Sequence, residues 1–305
     1  MNILLIADRP GWAFANRAND LIAQRFTNIR FTVRYQHDVS PADHTKYDLV
    51  YPMSITIAWK LHKAGMPAHK MAAGITSLDC VSRYIRPGRR IAPELLSFIH
   101  SMRGINAWSD EIVTLFKPHC RIYKTRIGID ETLFRPASAR RRTREPFVVG
   151  WAGRIDLPKR RELKGYDLVT AALKGLDVKL DIRTFTENYV PRAQMVDFYQ
   201  GLDCFICSSR SEGLPNPLLE AAACGVPLIT TRVGIVPELI THGHNGLIIN
   251  RSAASIRQAV IYLMKRPERR RRLSKHIRST IVEKWTWKRC GKDWERFFRS
   301  MLKSQ

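Results

Sequence analysis

Two glutamates eight positions apart lie in the stretch of this sequence whose residue types best suit chemistry. Glu212 and Glu220 flank a Gly-Leu-Pro-Asn-Pro turn, with an apolar run before it and an alanine-rich run after it. The apolar run, residues 203–207, is typical of a buried parallel strand. Asn216 is then expected to cap a helix that begins at Pro217, because proline loses no hydrogen bond in the first helical position. This pattern places Glu212 on the loop and Glu220 in the first turn of the helix.

A helix start of this kind attracts anions, typically phosphate, because its first N–H groups have no partner within the helix. Five backbone N–H groups are expected to face the carboxyl end of the strand, those of Gly213, Leu214, Asn216, Leu218 and Leu219. The alternative is that both glutamates are ordinary solvated carboxylates beside a helix.

The stretch E-G-L-P-N-P-L-L-E-A-A-A-C-G-V-P-L-I-T-T resembles the E-x7-E signature of retaining GT-B glycosyltransferases of the family 4 type. The resemblance implies that Glu220 binds the ribose hydroxyls of a nucleoside-diphosphate sugar and that Glu212 binds the sugar hydroxyls near C3 and C4. It also implies donor contacts from Gly213, Leu214, Asn216 and Leu218. The family retains anomeric configuration without a protein nucleophile, and the leaving phosphate helps to deprotonate the acceptor.

A second pair of motifs is similar to the family's "GR…KG" sequence. Gly153-Arg154 and Lys164-Gly165 supply an arginine and a lysine that would hold the leaving diphosphate, whose negative charge grows in the transition state. The gap between the two motifs is longer than usual in the family. Three further cations therefore compete with Lys164 for this role: Lys159, Arg160 and Arg161. The alternative is a set of exposed loop cations.

The resemblance is thinner in the first half of the chain. Gly11 follows the opening strand, where the family carries a glycine-rich loop near the donor diphosphate, so we assign it to donor binding, with a plain turn glycine as the alternative. Asp79 stands where family members often have a histidine that contacts the donor sugar. We assign it as a hydrogen-bonding group on the acceptor side, against helix capping or plain surface placement.

The order of elements predicts an α/β protein with parallel sheets, because strands alternate with helices along the chain. A chain of 305 residues with 45% hydrophobic content can form two cores. The resemblance implies a GT-B fold, in which two Rossmann-like domains face a cleft and a C-terminal helix crosses back to the first domain. The expected divisions are an acceptor domain over 1–135, a linker over 136–146, a donor domain over 147–284 and the crossing helix over 285–305.

The composition of the sequence limits where the protein can be located and which cofactors it can bind. No run is long enough to span a membrane and the opening apolar run is too short for a signal peptide, so we expect a cytoplasmic protein. The six cysteines are expected to be reduced and mostly buried. No second ligand pair accompanies Cys204 and Cys207, and no Asp-x-Asp motif follows a strand. We therefore expect neither a metal nor any other cofactor.

The net charge of +24 indicates an anionic partner. The candidates are nucleic acid, an anionic membrane surface and an anionic or lipid-linked saccharide acceptor. No nucleic-acid-binding module is present, so no specific nucleic acid is expected. Local arginine runs lie at 140–142 and 269–272, and the run at 140–142 suits attachment at the inner membrane surface. The alternative is a solvated basic surface without a partner.

Together these features predict a retaining hexosyltransferase that moves a sugar from UDP- or GDP-sugar to a glycan, lipid-linked or other acceptor. Two rival functions remain. A sugar-nucleotide epimerase of the same fold would show no acceptor-dependent transfer. A basic binding protein that had lost activity would show salt-dependent anion binding and no donor hydrolysis.

Overall fold

The computed structural model describes residues 1–138, 146–184, 186–187 and 189–301. Most of the predicted linker, including Arg140, Arg141 and Arg142, lies outside the described residues. The chain forms two compact units, one made of Met1–Gly128 with Trp287–Gln305 and the other of Ile129–Thr286. The first unit thus ends earlier than the predicted domain. Ile129 donates its N–H to the Trp285 carbonyl at 2.8 Å and forms a β-bridge with Thr286. The beginning and the end of the second unit are therefore paired with each other at this point.

The first unit is built on parallel strands. One sheet has the order β2-β1-β3 and another has the order β4-β7-β8, while a parallel bridge from Val50 to Met71 joins the end strands. Five of the six residues of β1 are buried, as expected for a central parallel strand. The strands are β1 (Asn2–Ala7), β2 (Arg30–Tyr35), β3 (Leu49–Pro52), β4 (Ala72–Ile75), β5 (Ile85–Arg86), β6 (Arg90–Ile91), β7 (Gly104–Ala107) and β8 (Ile122–Lys124).

The last helix of the chain belongs to this first unit, which confirms the predicted return of the C-terminal helix. Trp294, Phe297 and Phe298 are fully buried, and the rings of Trp294 and Phe298 lie 5.8 and 5.3 Å from the ring of Tyr51. The Trp294 indole donates to the Arg126 carbonyl at 2.9 Å. The helices of the unit are α1 (Ala13–Ala23), α2 (Ile55–Lys63), α3 (Pro93–Ser101), α4 (Asp110–Phe116) and the C-terminal α12 (Trp287–Ser300).

An antiparallel hairpin, which the sequence pattern did not predict, connects β4 to α3. In this hairpin β5 pairs with β6, with Ile85 opposite Ile91 and Arg86 opposite Arg90. Successive side chains of a strand point to opposite faces. The isoleucines pack on the core of the unit, whereas both arginines are exposed.

The second unit is a five-stranded parallel sheet with helices around it. Its strand order is β10-β9-β11-β12-β13. These strands are β9 (Phe147–Gly153), β10 (Val178–Thr184), β11 (Cys204–Cys207), β12 (Leu228–Thr230) and β13 (Leu247–Ile248). The helices are α5 (Pro158–Lys164), α6 (Tyr166–Leu173), α7 (Met195–Gln200), α8 (Asn216–Ala223), α9 (Val236–Leu239), α10 (Ala253–Lys265) and α11 (Pro267–Lys284). Both units confirm the predicted α/β class.

The side chain of Asn245 holds a loop of the second unit in place through hydrogen bonds. The Asn245 side chain is buried and accepts from the Thr241 N–H at 2.8 Å while donating to the Leu239 carbonyl and the Thr280 hydroxyl, both at 3.0 Å. These three hydrogen bonds explain the choice of asparagine at this position. No helix within the described residues has the length and apolar character that a membrane crossing requires.

Candidate active site

The candidate site lies where the strand order of the second unit reverses. The first strand, β9, lies between β10 and β11. The connection after β9 leads toward one edge of the sheet, to β10, and the connection after β11 leads toward the other edge, to β12. In open parallel sheets ligands bind in the crevice at the carboxyl ends of such strands. The segment after β9 begins with Arg154, and the segment after β11 contains Glu212. The sheet therefore brings together the two motifs that the sequence analysis singled out.

Glu212 is held by two donors at this edge. The Lys164 ammonium lies 2.5 Å from Glu212 Oε1, and the Ser209 hydroxyl donates to the same oxygen at 2.7 Å. The Glu212 side chain is 12% exposed and that of Lys164 is 24% exposed, so the pair is partly shielded from solvent. A carboxylate and an ammonium group held in this way can bind polar groups of a ligand. Lys164 thus joins Glu212 in one constellation.

The backbone around Lys164 is positioned by close packing on the end of β11. Gly165 adopts a left-handed conformation with φ of +71°, and a Cβ there would lie 2.5 Å from the Ser208 carbonyl oxygen. The Ser208 hydroxyl donates to the carbonyl of Lys164 at 2.8 Å and to that of Gly165 at 3.1 Å. Glycine at this position is therefore required for both its φ and its lack of a side chain. Sequence reasoning missed Ser208 as a positioning residue.

The other predicted cations of this loop lie elsewhere. Arg161 forms a bidentate ion pair with Asp167, and its guanidinium stacks over Tyr166 at 4.8 Å. Lys159 and Arg160 are exposed on α5, a helix without buried residues. Among these competing cations, Lys164 is the one that the described contacts join to Glu212.

Arg154 is paired within its own loop. Its Nε donates to Asp156 Oδ1 at 3.0 Å, and its Nη2 lies 2.5 Å from Oδ2. This hydrogen-bonded pairing holds the pKa of Asp156 below its usual range and raises the pKa of Arg154. Gly153, the residue before it, ends β9 and would bring a Cβ to 2.6 Å from the Trp151 ring.

The start of α8 differs from the sequence prediction. The helix begins at Asn216, with Pro215 as the flanking cap residue, so Asn216 is not the cap and Pro217 is the second helical residue. The N–H groups of Leu218 and Leu219 both bond to the Pro215 carbonyl, at 2.9 and 3.2 Å. These two amides are therefore used by the helix itself, contrary to the expectation that they would be free.

The turn before α8 keeps its amides available. Within the described part of the chain, the N–H groups of Gly213 and Leu214 donate to no acceptor. The Gly213 carbonyl instead accepts from the Ile235 N–H at 3.1 Å, and Gly234, at φ of +49°, approaches so closely that a Cβ would overlap that oxygen. Gly234 thus supports the turn that carries Gly213.

Glu220 is the fifth residue of α8, one residue beyond the first turn in which it was predicted, and is 7% exposed. Tyr199 donates its hydroxyl to Glu220 Oε2 at 2.8 Å, and Arg192 donates its Nε to Oε1 at 3.2 Å. Burial and the nearby carboxylate raise the pKa of Tyr199, so its hydroxyl stays a donor. Neither partner belongs to a motif. Their placement on α7 and the short 3-10 turn before it could not be inferred from spacing.

A small cavity of about 20 Å³ lies beside Glu212, between β9, β11 and the start of α8. It has room for about one water molecule. Its lining includes Trp151, Lys164, Ser209, Glu212, Pro217 and Leu218.

Two predicted residues, Gly11 and Asp79, belong to the first unit. Gly11 is exposed in the turn before α1 and has φ of +73°, as a turn glycine does. Asp79 is exposed at the first position of a 3-10 turn over Asp79–Tyr84. Among the described residues, no cluster of three or more His, Cys, Asp or Glu side chains is arranged to hold a metal ion.

Residues 160–280 match the family model described as Glycosyl transferases group 1. The chain is 31% identical over 102 residues to N-acetyl-alpha-D-glucosaminyl L-malate synthase of Bacillus anthracis, which is 33% of this chain and 27% of that protein. It therefore spans well under two thirds of the length of such curated relatives.

Solved structures match over the whole chain. Sucrose-phosphate synthase from Thermosynechococcus elongatus has a TM-score of 0.78 over 100% of both chains at 14% identity. Anabaena HepE, solved in complex with UDP-glucose, has a TM-score of 0.74 over 98% of this chain and 100% of that chain at 15% identity. The chain thus has the predicted GT-B fold. The segment that carries Glu212 and Glu220 is similar to the group 1 glycosyltransferases.

Proposed function

We propose that this chain is a retaining, metal-independent glycosyltransferase that moves a hexose-type sugar from a nucleoside-diphosphate sugar to an acceptor. The observation that carries the proposal is the ion pair between Lys164 and Glu212, 2.5 Å long, at the carboxyl edge where the sheet order reverses. A partly buried carboxylate suits sugar hydroxyls, and the adjacent cation suits a diphosphate.

The charged residues of the site would bind different parts of the donor. Lys164 and Arg154 would stabilise the diphosphate as it leaves, because preorganised cations gain most where charge develops. The free N–H groups of Gly213 and Leu214 would add neutral donors to the same phosphates. Glu212 would hold the sugar hydroxyls and so fix the anomeric carbon against the acceptor. The leaving phosphate would accept the acceptor proton as the new bond forms on the same face.

Glu220 would bind the ribose. A carboxylate is a charged acceptor that suits two vicinal hydroxyls. Tyr199 donates to one oxygen of Glu220 and Arg192 to the other. The two donors keep the carboxylate oriented, which reduces the ordering that the nucleotide must impose on binding.

The comparisons support a uridine nucleotide as the first donor to test, since the HepE structure contains UDP-glucose. GDP-sugars remain within the proposal. The proposed acceptor is an anionic or lipid-linked saccharide, and the excess positive charge of the chain supports an acidic partner. Gly11 and Asp79 keep their predicted roles toward donor and acceptor. Attachment to an anionic membrane surface is a further part of the proposal.

The decisive experiment is a screen of UDP-, GDP- and ADP-sugars for slow hydrolysis and for binding by calorimetry. We expect one nucleotide class to bind and its sugar to be released slowly in the absence of acceptor. Glu212→Gln keeps the size of the side chain but loses its charge, so it should abolish hydrolysis while the free nucleoside diphosphate still binds. Salt-dependent binding of every nucleotide without hydrolysis of any sugar would favour the inactive binding protein instead.

A further inference from the structure

The hairpin of β5 and β6 places two arginines directly opposite each other. Arg86 and Arg90 are register partners in a ladder only two residues long, so their Cβ atoms are about 5 Å apart. Like charges at opposed positions destabilise a hairpin, and a ribbon this short is marginal by itself. The isoleucine pair on the other face holds the hairpin to the core. The arginine pair therefore opposes the stability of the element that carries it.

The acidic groups nearby do not neutralise this pair. Arg86 lies 3.7 Å from Glu94 and Arg89 lies 3.6 Å from Glu111, and all four side chains are about half exposed. Ion pairs of such length and exposure are weak because water screens them. Within the described residues, the Arg90 guanidinium has no ion pair or hydrogen bond. The face thus retains positive charge that an external anion can contact.

The position of the hairpin in the fold favours ligand binding. The chain reaches it from the carboxyl end of β4 through the 3-10 turn Asp79–Tyr84 and leaves it into α3, and the carboxyl ends of parallel strands are where such sheets bind ligands. Its turn, Pro87–Arg89, is open to solvent, since a Cβ at Gly88 would contact nothing within 4 Å. Arg89 itself has φ of +60°, an uncommon conformation for a residue with a side chain.

We propose that Arg86 and Arg90 form a binding site for a phosphoryl group carried by the acceptor, an assignment that rests on the proposed function. Two guanidinium groups match the oxygens of a phosphoryl group through paired N–H donors. Binding would relieve the repulsion between the two side chains. The site consists of residues of the first unit, whereas the residues proposed to bind the diphosphate belong to the second unit.

The first test follows the arginine Nε–H signals of the full chain by NMR during titration with inorganic phosphate, glucose 6-phosphate and glucose. We expect the signals of Arg86 and Arg90 to shift with the two phosphates and not with glucose. Arg269 and Arg272, exposed on α11, serve as the comparison for non-specific contact. Equal shifts at all four arginines, or none at the hairpin, would overturn the proposal.

The second test compares Arg86→Gln/Arg90→Gln with the charge-matched control Arg269→Gln/Arg272→Gln. The hairpin variant should bind glucose 6-phosphate about tenfold more weakly, because it loses two charge-assisted contacts. Its melting temperature should stay the same or rise, since the opposed charges are gone. The control should keep wild-type binding. A hairpin variant that unfolds more easily and binds as well as wild type would show that the pair is structural.

Two controls separate the possible causes of failure. UDP binding should be equal in both variants. If the wild-type protein does not bind UDP at all, the proposed function is wrong, whereas the phosphoryl site is judged by the phosphate titration alone. A lipid headgroup is the other source of the same chemistry. If the hairpin variant alone stops sedimenting with vesicles of phosphatidylglycerol and phosphatidylcholine, and glucose 6-phosphate causes no shift, the acceptor assignment is wrong.

Discussion

The two glutamates of the candidate site are held in different ways, and this difference predicts different consequences of mutation. Glu212 shares one oxygen between Lys164 and Ser209, whereas Glu220 uses both oxygens, one for Tyr199 and one for Arg192. Removing the Glu212 charge therefore breaks an ion pair that is partly exposed to solvent. Removing Glu220 leaves two donors without their acceptor in a buried place.

Glu220→Ala should weaken binding of the donor nucleotide. The ribose hydroxyls lose a charged acceptor, which corresponds to about 1.5–3 kcal/mol, or about tenfold to a hundredfold in Kd. Calorimetry with UDP measures the change. Tyr199→Phe is the matched control, because it keeps the carboxylate and removes one of its donors, at a cost of about 0.5–1.5 kcal/mol in stability. Wild-type affinity in Glu220→Ala would exclude the ribose assignment.

Arg154→Ala should lower turnover more than donor affinity. Diphosphate charge builds toward the transition state, and loss of one such group costs about 100-fold to 1000-fold in kcat. Arg161→Ala is the control, because Arg161 makes the same kind of bidentate pair with an aspartate in the same segment. Single-turnover hydrolysis of the donor separates the two variants. If their rates are equal, the role passes to Lys164 alone.

Sequence reasoning at the residue scale identified side chains that belong to motifs and missed those that hold them. The spacing of Glu212 and Glu220, and the Lys164-Gly165 pair, are local patterns that the chain carries in order. Tyr199 contacts Glu220 from a separate helix across 21 positions. Such a contact depends on the packing of α7 against α8, which no local pattern encodes.

At the scale of elements, the long periodic segments were predicted well and the short ones were not. The sequence pattern predicts helices over 55–63, 253–265 and 267–284, and α2, α10 and α11 have these bounds. Helix α5 was not predicted, since it buries no residue and so has no apolar period. The start of α8 moved by one residue because Pro215, rather than Asn216, supplies the carbonyl that closes the first turn.

Gly165→Ala tests whether close packing positions Lys164. Gly175 has nearly the same φ, +73°, but a Cβ there would meet nothing within 4 Å. Gly175→Ala should therefore cost about 1–2 kcal/mol, the penalty of a left-handed conformation for a residue with a side chain. Gly165→Ala should cost clearly more, because its Cβ also collides with the Ser208 carbonyl.

Urea unfolding measures the difference between these two alanine variants. Donor hydrolysis provides the second measurement, in which Gly165→Ala should lose activity and Gly175→Ala should keep it. Equal losses of stability in both variants would mean that the contact with Ser208 relaxes without displacing Lys164.

At the scale of the whole molecule, the cysteines report on the integrity of both units. Burial raises the pKa of the Cys224 and Cys290 thiols to about 12 each, and it also raises the pKa of Cys204 and Cys207. A thiol must lose its proton to react with an alkylating reagent. These four residues therefore stay protonated at pH 8 while the chain is folded.

We expect iodoacetamide at pH 8 to leave these four cysteines unlabelled in the native protein and to label them once urea unfolds it, as mass spectrometry of peptides would show. Cys80 and Cys120 are partly exposed and serve as internal controls, which should react first. Cys290 reports on the first unit and the other three report on the second. Rapid labelling of Cys204 without urea would contradict the burial of β11.

The chain enters the first unit twice, and this has a consequence for synthesis on the ribosome. The second unit is one continuous segment, Ile129–Thr286, and is complete once that segment has emerged. The first unit needs α12, which is translated after the whole second unit and supplies Trp294, Phe297 and Phe298 to its core. Until then Tyr51 and its apolar neighbours lack their cover. The unit whose first segment is translated earlier is therefore the unit that finishes folding later, and until then its exposed apolar surface makes the nascent chain prone to aggregation.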